Sequence, residues 1–208
     1  MTRPRRFAAW VIPRSIRPIP PVPFGTILHR VAQGLDALWI DRPGDHGGDG
    51  DGDGDRDNAA MALLTPSQRV AFAALSAFDR RHAIRVWGRV SREVPADHDL
   101  AVAALLHDLA KAGSPGLPGR VHLPDRVTRV LLRRLAPGLL ARLATPLPPV
   151  PRWRTGLVLA VHHPSLGAAW AADIGCSPRV CWLIAHHHDR TPVKDPVLRA
   201  LMAADEAG

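Results

Sequence analysis

The sequence predicts an all-α fold, and three observations support that prediction. From residue 61 onward, apolar residues recur at helical spacing. No stretch of useful length alternates apolar and polar residues with the period of a strand. Two helix starts are also marked: Thr65-Pro66-Ser67-Gln68 combines an N-cap, a first-turn proline and a capping-box glutamine, and Asp195-Pro196 combines a cap with a proline. We therefore expect one helical domain over residues 61–208.

The first 60 residues predict a largely irregular extension. Residues 1–24 are rich in arginine and proline and cannot form a regular helix. Residues 26–40 have the spacing of a short amphipathic helix. Residues 41–58 are a low-complexity Asp/Gly run, which we interpret as a flexible linker. The run is similar to the start of a calcium-binding EF-hand loop, but Ala60 stands where that loop requires glutamate.

The helices of the domain can be assigned in order from their apolar residues and caps. The helix that begins at Pro66 is expected to carry Val70, Phe72, Leu75 and Phe78. The next two helices are expected over 79–94 and over 97–112, the second with Gly113 as its C-cap. One or two helices follow within 124–143, interrupted at Pro137, and then come a helix over 152–162 and another that begins after Pro164. The last two are expected over 178–188 and from Pro196 onward.

Composition excludes several classes of protein. The chain has 208 residues and a formal charge of +8, and it contains no apolar run long enough to span a membrane. Prolines between residues 13 and 23 interrupt the apolar core that a signal peptide would need. Cys176 and Cys181 fit no CxxC or four-cysteine zinc pattern, so we expect two buried, reduced thiols. These features predict a cytoplasmic protein, and they leave the oligomeric state open.

Histidines and aspartates form an ordered series on the helices that are expected to be buried. Burying such a side chain without a partner costs about 1–3 kcal/mol, so a set of them needs a common explanation. A single core histidine, or a histidine at a helix C-terminus, would explain one member but not the whole set. The ligands are nitrogen and oxygen without thiolate, which suits Mn, Fe, Mg or Co. The candidate ligands are His82, His107, Asp108, His163, His187 and Asp205.

Three phrases of the sequence carry a family resemblance. AALLHDLAKAG (103–113) holds the HD pair, within an order H…HD…D that covers about residues 78–206. HHPSLGAAWAADIG (162–175) and SPRVCWLIAHHHD (177–189) add further histidines. Together they resemble the HD-domain metal-dependent phosphohydrolase superfamily. The binuclear members are the most similar: the HD-type nucleotide hydrolases that cleave diadenosine tetraphosphate, and the HD-GYP phosphodiesterases. The resemblance implies an HD-type helical bundle.

The resemblance also implies a ligand set for one or two divalent ions. The first ion would be bound by His82, His107, Asp108 and Asp205, and the second by Asp108, His163 and His187. Lys111 matches a lysine that contacts phosphate. His162 is a neighbour of His163, and His186 and His188 are neighbours of His187, so whether one of them takes its neighbour's place stays open at this point.

The expected activity is hydrolysis of a phosphoester or nucleotide by metal-activated water, with Asp108 and Lys111 as catalytic residues. No GYP triplet follows the histidines, because the segment after them reads DRTPVKDPV. The threonine-threonine-glycine stretch of the tetraphosphate hydrolases is also absent. Neither of those two substrates is therefore expected. One alternative is a regulatory module that binds a nucleotide or a protein without turnover. Another is a basic protein associated with nucleic acid, in which the metal site is structural.

The stretch 120–154 contains eight arginines and one acidic residue, Asp125. It would attract a phosphorylated small molecule, a nucleotide or a nucleic acid. Alternatively, these arginines are the solvated face of a helix. Trp153 is the only aromatic residue among them, so no stacking platform for single-stranded nucleic acid is evident.

Overall fold

The computed structural model describes residues 52–147, 149–189 and 193–208. The predictions made for residues 1–51, including the irregular extension and the short helix over 26–40, lie outside the described residues. Within the described residues the fold is all-α, as predicted, and contains no named strand. The α-helices are α1 (Gly52–Ala62), α2 (Pro66–Ala73), α3 (Ala77–Glu93), α4 (His98–Leu106), α5 (Leu123–Leu135), α6 (Pro137–Leu143), α7 (Arg152–Asp173), α8 (Pro178–His186) and α9 (Pro196–Ala207).

Helix α4 is the central element of the core. Its residues from Leu100 to Leu106 are buried on every side, apart from the half-buried Ala101, as expected for a helix surrounded by others. It packs against α3 on one side and α8 on another, and it also touches α9. Each fully buried leucine of this core, such as Leu105, contributes about 1.5–3 kcal/mol relative to exposure. The end of α4 therefore delivers the next residues of the chain into the middle of the bundle.

The helix starts that the sequence marks are present. The Thr65 side chain accepts from the backbone N–H of Gln68, whose side chain accepts in return from the backbone N–H of Thr65. The carboxylate of Asp195 likewise accepts from the backbone N–H of Leu198. Such caps satisfy backbone donors that a first helical turn leaves without partners, and each contributes about 1 kcal/mol.

Two predicted boundaries near the start of the domain are wrong. Helix α1 begins at Gly52, inside the run assigned to a linker, because Ala60 and Leu64 pack into the core and the helix extends back from Ala60. Helix α2 ends at Ala73, so Leu75 lies in the connection and Phe78 on α3. Ser76 causes the second break: its hydroxyl accepts from the backbone N–H of Asp79 and starts α3.

The predicted helix over 97–112 is also interrupted. Helix α4 ends at Leu106, and a short 3₁₀ helix follows over Leu109–Ala112. His107 and Asp108 lie at the junction, which turns their side chains toward neighbouring helices. Gly113 ends the 3₁₀ helix with a φ of 119°, a left-handed conformation that glycine adopts at low cost.

Helix α7 continues through Pro164, where the sequence predicted two separate helices. Proline has no N–H, so the carbonyl of Ala160 one turn earlier loses its backbone partner. Two side chains replace it: His163 Nδ1 lies 3.1 Å from that oxygen, and Arg129 Nη1 lies 3.2 Å from it. These bonds supply what the backbone lacks, and they explain why the helix survives the proline.

Helix α5 packs against α7 in an unusual orientation. Val127, Leu131 and Leu135 recur every four residues and are 37%, 49% and 77% exposed. Arg126 and Arg129 lie on the opposite side and make contacts with α3 and α7. The helix therefore exposes its apolar row and turns arginines toward the protein, the reverse of an ordinary surface helix.

Within the described residues, no helix combines the length and the apolar character that crossing a membrane requires. Cys176 and Cys181 are free thiols, as predicted, although both are only partly buried. Burial raises the pKa of Cys176 to about 11, so this thiol stays protonated at neutral pH.

Candidate metal centre

The six predicted ligands converge, although they come from distant parts of the chain. His82 lies on α3, the His107-Asp108 pair follows α4, and His163 lies within α7. His187 directly follows α8, and Asp205 lies on α9. Four of the six, His107, Asp108, His163 and His187, are at most 2% exposed. The bundle thus brings into one buried cluster the residues that the sequence singled out.

One end of the cluster contains His82, His107 and Asp205, each of which offers a ligand atom within 4.8 Å of the other two. His82 Nε2 lies 2.9 Å from Asp205 Oδ1, and His107 Nε2 lies 3.3 Å from the same oxygen. Two nitrogens thus face one carboxylate oxygen, a mixed donor set that suits a divalent first-row metal.

The other end contains His163, His187 and His188, again with ligand atoms within 4.8 Å of one another. From the sequence, His188 was expected only as a possible replacement for His187, whereas in the structure both residues belong to the group. They lie in the turn after α8, and their ring centroids are 4.4 Å apart. The signal that pointed to His188 was the consecutive histidines of HHHD.

His186 and His162 lie apart from the groups. His186 stacks on Trp182, and its Nδ1 donates to the Trp182 carbonyl at 2.7 Å. His162 Nε2 lies 2.9 Å from the carbonyl of Ala144. These contacts exclude a shift of the ligand positions from His163 to His162 or from His187 to His186.

Asp108 lies between the two ends. Its Oδ2 is 3.4 Å from His107 Nε2, and its Oδ1 is 3.4 Å from His163 Nε2. His107 and His187 link the ends from another side, with ring centroids 5.1 Å apart, and they form a third potential ligand group with Asp108. One carboxylate with an oxygen toward each end is the arrangement of a bridging ligand.

Three of the imidazoles share one pattern of hydrogen bonding. Nδ1 of His107, His163 and His187 donates in each case to the carbonyl of the residue three positions earlier, at 2.7–3.1 Å. A carbonyl only accepts, so Nδ1 carries the hydrogen and Nε2 is the ligand atom. Each Nε2 is buried without an aligned hydrogen-bond partner. Nε2 of His163 and of His187 carries no hydrogen in the neutral ring, and Nε2 of His107 faces the carboxylates of Asp108 and Asp205. Three buried nitrogens that face one cluster in this way fit a bound cation.

The charge states of the His163–His187–His188 group also suit a metal. Burial holds the pKa of His163 and of His188 well below 6.5, and burial beside His107 lowers that of His187 to about 4. These imidazoles are therefore neutral near pH 7, the form that binds metal, so a cation need not displace protons from them.

The His82–His107–Asp205 group is charged in the absence of metal. Burial would lower the pKa of His107, but the carboxylates of Asp108 and Asp205 outweigh burial and raise it to about 10. Burial would raise the pKa of Asp108, but Lys111 and His107 hold it well below 3.8. The buried carboxylates are thus anionic, and His107 supplies positive charge that a divalent ion would replace.

Lys111 lies on the 3₁₀ helix with its ammonium against Asp108 Oδ2. Its side chain remains 19% exposed, so the amine lies at the margin of the buried cluster. The predicted contact with a phosphate stays a prediction, since the partner in this structure is the carboxylate.

The arginines of 120–154 do not form one solvated face. Arg126 pairs with Asp79, Arg129 donates to Ala160, and Arg154 donates to carbonyls at the end of α6, including that of Leu143. Arg134, Arg142 and Arg152 are exposed. Part of the positive charge is therefore built into the fold beside α7, and part remains on the surface.

The chain matches no protein-family model, no curated protein and no solved structure. The chemistry of the cluster itself is therefore the evidence that bears on function.

Proposed function

We propose that this chain is an HD-type metal-dependent phosphohydrolase that cleaves a phosphoester or phosphoanhydride bond in a phosphorylated small molecule or nucleotide. The observation that carries the proposal is the position of Asp108, whose two oxygens face histidines at opposite ends of one buried cluster. Two adjacent ligand groups that share a carboxylate are a common arrangement in enzymes that hydrolyse phosphate esters.

The cluster would hold one or two divalent ions, of Mn, Fe, Mg or Co. His82, His107 and Asp205 would bind at one end and His163, His187 and His188 at the other, with Asp108 between them. The donors are imidazole and carboxylate, and no cysteine is among them. This set favours those ions over a structural zinc site, which usually contains thiolates.

When bound, a divalent ion lowers the pKa of water from about 15.7 toward 7 and offsets charge on phosphoryl oxygens. The chain's own residues would then position the reaction. The anionic carboxylate of Asp108 would accept a hydrogen bond from the attacking water and orient it toward phosphorus. As the new P–O bond forms, the bond from phosphorus to the leaving-group oxygen breaks, and that oxygen departs with a proton from water. Lys111, at the exposed margin beside Asp108, donates to a non-bridging phosphoryl oxygen and offsets its negative charge. Closely packed helices exclude bulk water from the buried side of the cluster.

The test combines metal analysis with turnover by the full chain. Protein reconstituted with Mn²⁺ should retain one or two ions per chain and should hydrolyse p-nitrophenyl phosphate, its diester or a nucleoside triphosphate. Asp108→Asn should abolish turnover while helix content, measured by circular dichroism, stays at the wild-type level. His186→Asn, a change one residue outside the cluster, should leave turnover unchanged and serves as the matched control.

Two results would contradict the proposal. If the purified protein retains no Mn²⁺, Fe²⁺ or Co²⁺, the proposed metal centre is excluded. Protein that retains metal and binds a nucleotide, but releases no product in a single-turnover experiment, would instead support the regulatory module without turnover.

A further inference from the structure

Three arginines share the face of α5 that is turned toward the protein. Arg126, Arg129 and Arg133 are spaced by three and four residues, which places them on one side of a helix. The exposed row of Val127, Leu131 and Leu135 occupies the opposite side. Leucine is a better core residue than arginine, so hydrophobic packing alone does not explain this orientation.

Helices α5 and α7 run side by side in the same direction. A side chain added at Gly156 would collide with Asp125, so these two residues touch, and four residues further along each helix Arg129 donates to Ala160. Leu132 also packs in one cluster with Val161. Both helices rise 1.5 Å per residue, so continuing the register of these contacts by one turn carries Arg133 toward His163 and Pro164.

Arg133 differs from its neighbours on this face. Arg126 has the Asp79 carboxylate at 2.8 Å and Arg129 has the Ala160 carbonyl. Nε of Arg133 is buried and has no hydrogen-bond partner among the described residues. A buried guanidinium nitrogen without an acceptor is costly, and the cost is recovered when an anion binds to it.

We propose that Arg133, with Arg129 beside it, forms an anion subsite next to the metal centre that binds a second phosphoryl group of the substrate. This inference rests on the phosphohydrolase function proposed above. Arg129 is close enough to the centre for its charge to lower the pKa of His188. The metal centre would bind the phosphoryl group that reacts, and the subsite would bind the phosphoryl group linked to it in the substrate. The preferred substrate is therefore a nucleoside polyphosphate or another compound with linked phosphates, in preference to a simple monoester.

The experiment compares Arg133→Met with Arg134→Met in the full-length, Mn²⁺-loaded chain. Arg134 is the next residue of the same helix and is exposed. Each variant loses one positive charge, so the two differ only in where that charge lies. The probes are the Mg²⁺ complex of β,γ-methylene-ATP, which carries linked phosphates and is not cleaved, and phenylphosphonate, which carries one phosphoryl-like group. Titration calorimetry measures affinity for each probe.

Arg133→Met should weaken binding of the ATP analogue about 10-fold or more, the value of a charge-assisted hydrogen bond. Its affinity for phenylphosphonate should change less than about 2-fold, and Arg134→Met should bind both probes like the wild type. The melting temperature of Arg133→Met should stay close to that of the wild type or rise, because the change removes a buried Nε that has no hydrogen-bond partner among the described residues.

Equal losses in the two variants would overturn the proposal, since surface charge would then explain the binding. Unchanged binding by Arg133→Met would overturn it as well. Neither result bears on hydrolysis of p-nitrophenyl phosphate by the wild type, which tests the proposed function separately, so the subsite can fail while that function stands. Conversely, selective loss in Arg133→Met would support the subsite even in a chain that shows no turnover.

Discussion

Asp108 Oδ1 lies 3.4 Å from His163 Nε2, and this contact joins the two ends of the histidine cluster. His163 Nδ1 is already bonded to the Ala160 carbonyl, so Nε2 faces the carboxylate as an acceptor without a hydrogen. Two acceptors that face one another repel unless a cation lies between them. The pair therefore indicates where an ion belongs more directly than any single residue does.

Replacing His187 by Asn should remove one ligand from the His163 end of the cluster. Loss of a direct ligand should lower Mn²⁺ affinity at that end by at least about 100-fold, more than loss of a supporting hydrogen bond. A competition titration against a chelating indicator measures this change. His186→Asn is the control because its imidazole stacks on Trp182 outside the cluster. Equal affinities in the two variants would exclude His187 as a ligand.

Metal should stabilise the folded chain, because the cluster exists only when distant helices are assembled. At an Mn²⁺ concentration 100-fold above the dissociation constant, the expected gain is about 2.7 kcal/mol. For a domain of this size the melting temperature should rise by about 5–10 °C. Thermal unfolding with and without EDTA measures the shift. A melting temperature that responds neither to Mn²⁺ nor to EDTA would contradict the metal centre.

Chelator-treated protein should lose stability as the pH falls from about 7 to 4.5. The pKa values of His163, His187 and His188 are lowered in the folded state, so the unfolded chain binds more protons below 6.5. By linkage, their contribution is present above pH 6.5 and is lost as the pH falls toward the folded value, which is about 4 for His187. His107 has the opposite sign: with its pKa raised to about 10, its contribution is complete below 6.5 and is lost as the pH rises from there toward 10.

Urea unfolding at several pH values tests this prediction. The double variant H187N/H188N should show a shallower decline than the wild type between pH 7 and 4.5, since two of the three histidines are gone. An equally steep decline in the variant would assign the acid sensitivity to other groups.

The ion pair between Arg126 and Asp79 should anchor α5 to α3. Arg126 Nη2 lies 2.8 Å from a carboxylate that is 3% exposed. Among the described residues, Arg126→Met would leave this buried charge with only the Ser76 hydroxyl as a side-chain partner. Discounted for the partial exposure of Arg126, the expected loss is about 2–4 kcal/mol of unfolding free energy. Arg179→Met removes an ion pair of the same length at the surface and should cost about 0–1 kcal/mol. Similar losses in both variants would contradict the anchoring role.

Local signals predicted much of the fold. The caps at Thr65 and Asp195 start helices where their side chains satisfy backbone donors, and this depends on neighbours in sequence alone. The interruption at Pro137 likewise follows from the missing donor of proline. The order of histidines and aspartates identified the residues of the cluster, because burial of such side chains needs a common cause. The resemblance to HD-domain phosphohydrolases stays a prediction.

Features that depend on distant contacts were not predictable in this way. Helix α7 survives Pro164 because Arg129, on another helix, bonds the orphaned carbonyl of Ala160. The inverted orientation of α5 could not be predicted either, because periodicity shows which residues share a face of a helix but not which face turns toward the core. The role of His188 depends on a turn that points consecutive side chains to one place.

The shared bonding of the three imidazoles has a consequence for how metal enters. Each Nδ1 is tied to a carbonyl on its own chain segment, so the rings are held in place before any ion arrives. Little rearrangement then accompanies capture, and most of the attraction between ion and ligands appears as affinity. The rate at which one metal replaces another should accordingly be limited by the ion's passage between the helices. Exchange should therefore be slow, but it should not require global unfolding of the chain.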